Sequence, residues 1–212
     1  MEIDEAQSRM REIQRIMETA TLFTLLPGLA AIVGGVLTLL GCGVSYWLLN
    51  SYDFVGVAYL PPPVRKSFCL MWLVVVLASM AVNALLTIRA ARRRQIALNP
   101  RPAQAAMLSL SPCIVVAAVL TFQFFTSGQP AELRYIAPVW MLLYGIGVYS
   151  AGLFSVRAPR VLGLAFLLAG ILALLAFPIY GVIAVGASFG LLHIAFGSYV
   201  LYQQRQAVVP HE

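Results

Sequence analysis

Six apolar runs of 17 to 29 residues, near 21–49, 67–88, 105–126, 135–156, 161–177 and 182–203, fill the chain and leave little length for anything else. A hydrocarbon layer about 30 Å thick takes roughly 20 helical residues per crossing, so each run is long enough to span it. Only helices and closed barrels satisfy every backbone group inside lipid. These runs are continuously apolar and do not alternate, which predicts an all-α bundle of six transmembrane helices. With 10% of its 212 residues charged and a mean hydropathy of +0.87, the chain is no soluble enzyme, disulfide scaffold or disordered tail.

The net charge of +6 could suggest a nucleic-acid partner, but the basic residues sit at the ends of the apolar runs. In the six-span layout, Arg9, Arg11, Arg15, Arg89, Arg92, Arg93, Arg94, Arg101, Arg157, Arg160 and Arg205 fall on one side, and Arg65, Lys66 and Arg134 on the other. Eleven against three is the asymmetry of the positive-inside rule. It predicts both termini on the cytoplasmic side of the membrane, and no nucleic-acid partner. Arg89, Arg92, Arg93, Arg94 and Arg101 form the densest cluster, expected to contact anionic headgroups or to dock a partner.

Before the first span, Ile3, Ala6, Met10, Ile13, Met17 and Ala20 recur at spacings of three and four. That rhythm predicts an amphipathic cytoplasmic helix over residues 1–20, lying at the interface or self-pairing as a short coiled coil. No cleavable signal peptide is expected. Residues 206–212 read as a tail. Between the first two spans, Pro61, Pro62 and Pro63 predict a stiff extended connector.

No acidic residue falls within a predicted span: the set is Glu2, Asp4, Glu5, Glu12, Glu18, Asp53, Glu132 and Glu212. Ion-coupled transporters usually hold a carboxylate in the membrane, and metalloenzymes need clustered ligands. Cys42, Cys69 and Cys113 are dispersed through apolar runs and read as packing residues. The one ionisable side chain expected inside the membrane is His193. At 100° per residue, Gly190, His193 and Gly197 all lie within about 40° of Gly186 on one face, so the imidazole should project from the stripe that another helix approaches most closely. An interhelical hydrogen bond is the expected role, with haem or quinone contact or proton relay as the alternative; no cofactor is otherwise expected. Tyr144 and Tyr149, among the glycines of the fourth span, are candidates to line a cavity. Glu132 and Arg134 are positioned to pair at the outer surface.

The segments GLAAIVGGVLTLL from Gly28 and GLAFLLAGILALL from Gly163 match at seven of thirteen positions. Internal repetition of this kind underlies many transporters. METATLFTLLPGLAAIVGG from Met17, ELRY from Glu132, YGIGVYSAG from Tyr144 and FGLLHIAFG from Phe189 together resemble a group of small bacterial multi-pass membrane proteins of uncharacterised function. The resemblance implies a six-span integral membrane protein and carries over no catalytic or ligand-binding residue. The expectation is a non-enzymatic protein acting by helix association, as an accessory subunit or a homo-oligomer. A channel for a small neutral or lipid-like solute and a redox subunit built on His193 are the alternatives.

Overall fold

The computed structural model describes residues 28–93, 100–153 and 157–206. The segment 1–20, the entry to the first span, Arg94 and the end of the tail lie outside the described residues. Every regular element among the described residues is helical: α1 (Gly28–Leu49), α2 (Pro62–Arg93), α3 (Pro100–Thr126), α4 (Ile136–Leu153), α5 (Arg157–Leu175), α6 (Gly181–Val185) and α7 (His193–Gln206). A π-helical stretch, Gly186–Leu192, joins α6 to α7 within the sixth span. Among the described residues six helices are long and apolar enough to cross a membrane, which makes this a multi-pass membrane protein.

The prolines act at helix starts rather than as breaks. Pro62 and Pro63 open α2, correcting the extended connector, because the amide hydrogen that proline lacks has no intrahelical acceptor in a first turn. Pro159 likewise sits in the first turn of α5, which starts at Arg157, four residues before the expected boundary. Pro112 falls well inside α3 because that helix begins at Pro100. The connector between α1 and α2 is a 3₁₀ helix, Phe54–Tyr59, capped by Asp53, whose side chain accepts a hydrogen bond from the Val55 amide at 3.0 Å.

Two antiparallel pairs of helices are built on glycine. A Cβ on Gly145 would stand 3.0 Å from the Gly163 carbonyl oxygen across the α4–α5 interface, and one on Gly170 would stand 2.9 Å from Leu142. Across the pair that α1 forms with the sixth span, a Cβ on Gly35 would stand 2.6 Å from the Gly190 oxygen, and one on Gly28 would stand 2.7 Å from the Gly197 oxygen. At such separations backbone meets backbone, which only glycine permits and which dispersion alone makes favourable in lipid. The sequence echo acquires a structural meaning here. Gly28 and Gly35 in α1 correspond to Gly163 and Gly170 in α5, and both sets are the contact points of a close pair.

Helices α2 and α3 flank these pairs. The most apolar stretch of α2 has no buried residue and that of α3 is 6% buried, against 28 to 39% for the other four spans. α2 leans on α1, where the Trp72 indole N–H donates to Ser45 Oγ at 3.1 Å. α3 leans on α4, where the Trp140 indole N–H donates to Thr121 Oγ1 at 2.9 Å. At one end of the bundle, Phe54, Val57, Phe68, Leu133, Ala137 and Val182 form a core beneath the 3₁₀ turns, and the Val182 amide donates to the Tyr52 carbonyl at 3.0 Å. Arg134 pairs with Asp53 at 3.2 Å. The expected pairing with Glu132 does not form, because the two residues lie two apart on the 3₁₀ helix Pro130–Tyr135 and so point in different directions. The opposite, arginine-rich end carries Arg89, Arg157, Arg160 and Arg205. Both carboxylates among the described residues, Asp53 and Glu132, lie at the 3₁₀ end.

Candidate functional site

The residues that sequence reasoning singled out separate into two sites. Gly186, Gly190 and Gly197 do face a neighbouring helix, and that helix is α1: Gly186 meets Cys42 and Leu39, Gly190 meets Leu39, and Gly197 meets Gly28 and Ile32. His193 does not share their interface. Its Nε2 lies 2.9 Å from Tyr144 Oη on α4, and its ring contacts Phe166 on α5 at a centroid distance of 5.2 Å. The correction has a local cause. From Gly186 to Leu192 the turns close on i→i+5 hydrogen bonds, so each residue advances by less than the 100° of an α-helix and the imidazole leaves the glycine stripe.

The imidazole sits within a small aromatic cluster. Phe189 lies nearly parallel to it, with ring centroids 5.9 Å apart and planes 13° apart. Tyr144, Phe166 and Phe189 meet one another at centroid distances of 4.8 to 5.1 Å. Phe166 is fully buried. The second imidazole nitrogen, Nδ1, lies 3.4 Å from the Ser188 carbonyl oxygen, one π turn earlier. Both ring nitrogens therefore have protein partners, and the arrangement joins α4, α5 and the sixth span through one polar contact inside an apolar cluster.

Tyr149 belongs elsewhere. Its backbone nitrogen and Cα are what a Cβ on Gly163 would meet, at 2.6 and 2.8 Å, so this position serves the close α4–α5 approach. Two surface cavities of about 230 Å³ each are present, and neither is lined by His193, Tyr144 or Tyr149. One, at the 3₁₀ end, is lined in part by Arg65, Phe124, Phe125 and Gln129. The other lies between α1 and α7 at the arginine end.

Of the basic cluster, Arg89 and Arg92 are exposed near the end of α2. Arg93 closes that helix and Arg101 stands in the first turn of α3. Sequence reasoning missed Phe166, Phe189 and the Ser188 carbonyl as partners of His193. It also missed Arg160, whose Nε donates to the Gly152 carbonyl at 2.6 Å and whose Nη2 donates to that of Leu153 at 3.3 Å. Arg160 thereby satisfies orphan carbonyls at the end of α4; a lone basic residue beside a helix end is the signal that could have identified it. Among the described residues no group of three His, Cys, Asp or Glu side chains comes together. No protein-family model, curated protein or solved structure matches this chain.

Proposed function

We propose that this protein works by helix association in a bacterial inner membrane, as an accessory subunit of a membrane complex or as a homo-oligomer, with the arginine-rich end cytoplasmic. The observation that carries this reading is the position of α2 and α3 outside the glycine-packed pairs. Each packs mainly against one spanning helix and leaves exposed apolar side chains along its length, Leu70, Leu73, Val74, Leu77, Met80 and Leu85 on α2 and Leu108, Val115, Val119 and Phe122 on α3. α2 also carries Asn83, which is exposed and accepts a hydrogen bond from Thr87 Oγ1 at 3.4 Å. An amide on a lipid-facing helix is a ready partner for a second helix.

The alternatives draw less from the geometry. A channel would use a lined path, and neither of the two cavities described above reaches His193, Tyr144 or Tyr149. A haem or quinone subunit would use a ring nitrogen of His193, and both are engaged within the bundle. Extraction from native membranes in mild detergent, followed by native mass measurement, tests the association reading. The expected result is a defined oligomer or a stoichiometric complex with another membrane subunit. A monodisperse, partner-free monomer, also monomeric after in-membrane cross-linking, would overturn it.

A further inference from the structure

The groove between α1 and α7 has the composition of a lipid site. Ser198, Leu201, Tyr202 and Arg205 line it from α7, and their spacing of three, one and three places them on a single helix face. Ile32 completes it from α1. It lies where the close approach of Gly28 and Gly197 ends, beside Leu201, which a Cβ on Gly28 would meet at 2.9 Å. Ile32 and Leu201 supply its apolar lining, Ser198 stands one turn deeper along α7, and Arg205 stands one turn nearer the arginine end. Tyr202 is exposed beside it, and its hydroxyl oxygen accepts a hydrogen bond from Gln206 Nε2 at 2.6 Å.

Arg205 is exposed and makes no hydrogen bond or ion pair among the described residues. No carboxylate among the described residues stands at this end of the bundle, since Asp53 and Glu132 are both at the other. Among the described residues, the cation at this end of the groove thus has no carboxylate partner. A guanidinium matches a phosphate bidentately, an interfacial tyrosine suits the headgroup level, and an apolar cleft between helices accepts an acyl chain.

We infer that this groove binds one anionic phospholipid, with an acyl chain along Ile32 and Leu201 and the phosphate held by Arg205 with the Tyr202 hydroxyl. The site goes beyond the association reading: it involves neither α2 nor α3, and it would exist in a monomer.

The test uses the full chain, delipidated in detergent and titrated with phosphatidylglycerol or phosphatidylcholine, with retained lipid counted by native mass spectrometry. The expected result is one preferentially retained phosphatidylglycerol. Arg205→Gln should weaken that retention about fivefold, the factor expected for one basic residue at an anionic lipid surface, and weaken phosphatidylcholine, whose choline cation offsets its phosphate, by less. Ser198→Phe, at an exposed position, should fill the groove and reduce retention of both lipids, while Arg157→Gln should change neither. The inference is overturned if Arg205→Gln retains phosphatidylglycerol like the parent. It is equally overturned if Arg157→Gln weakens it as much, which would mean diffuse surface charge. It also fails if Ser198→Phe has no effect, or if glycerol phosphate without acyl chains competes at the lipid's own concentration. Unchanged size-exclusion profiles and unfolding midpoints certify that the variants are folded.

Discussion

The glycine-mediated approach of α1 to the sixth span makes a quantitative claim that two alanine substitutions can test. A Cβ on Gly197 would meet the Gly28 carbonyl oxygen, Ile32 Cγ1 at 2.8 Å and the Ile32 nitrogen at 3.0 Å. Two of these atoms are backbone, so no rotamer change relieves the contact and the helices must part. A separation of ~0.5–1 Å forfeits roughly a quarter to a half of the dispersion well for each pair along the seam, and overpacking of this kind costs ~1–3 kcal/mol. Gly43 lies on the same helix as Gly28, and a Cβ there would meet nothing within 4 Å. The gain in helix propensity on replacing glycine, ~1 kcal/mol at most, is common to both sites and cancels in the comparison. Gly197→Ala should therefore be less stable than Gly43→Ala by ~1–3 kcal/mol. Gly34→Ala, whose Cβ would meet Ser79 Oγ at an ordinary 3.6 Å, should resemble Gly43→Ala. Unfolding midpoints in mixed micelles of a mild detergent and dodecyl sulfate, followed by tryptophan fluorescence, give the ranking. Equal midpoints for Gly197→Ala and Gly43→Ala would refute the close-approach argument.

Tyr144→Phe should cost ~0.6 kcal/mol, and at most ~1.7 kcal/mol, by removing the hydroxyl that partners His193, these being the average and the maximum measured for hydrogen bonds between membrane helices. A double-mutant cycle with His193→Phe should return a coupling of that size, and a coupling near zero would dismiss the contact as energetically idle. Asp53 has two roles that different substitutions separate. Asp53→Asn should lose only the ion pair with Arg134, worth ~0–1 kcal/mol because both side chains are partly exposed. Asp53→Ala should lose a further ~1 kcal/mol with the cap of the 3₁₀ helix, and the difference between the two should persist at high salt.

The length and continuity of the apolar runs carried the architecture, because a backbone in hydrocarbon has so few ways to satisfy itself that composition nearly determines secondary structure. The faces of the helices were partly legible: small residues seven apart at Gly28 and Gly35, and again at Gly190 and Gly197, mark the seam they form. The direction of His193 was not legible, since the π stretch that turns it breaks the periodicity from which faces are read, and Gly186–Leu192 carries no residue that announces it. The Arg134–Asp53 pair joins residues 81 apart in the chain. Only the meeting of two short 3₁₀ turns brings them together, whereas local spacing favoured Glu132. The prolines at 62, 63 and 159 were read as interruptions because the same residue that ends a helix also begins one.

The polar contact at His193 has a direction. A carbonyl oxygen can only accept, so the bond to Ser188 places the imidazole proton on Nδ1 and leaves a bare lone pair on Nε2, toward which the Tyr144 hydroxyl must donate. The sequence of donations therefore starts at a phenol and stops at a peptide oxygen. Such an arrangement has a fixed polarity, from α4 into the sixth span. It holds the imidazole between α4 and the π turn, with a partner on each ring nitrogen.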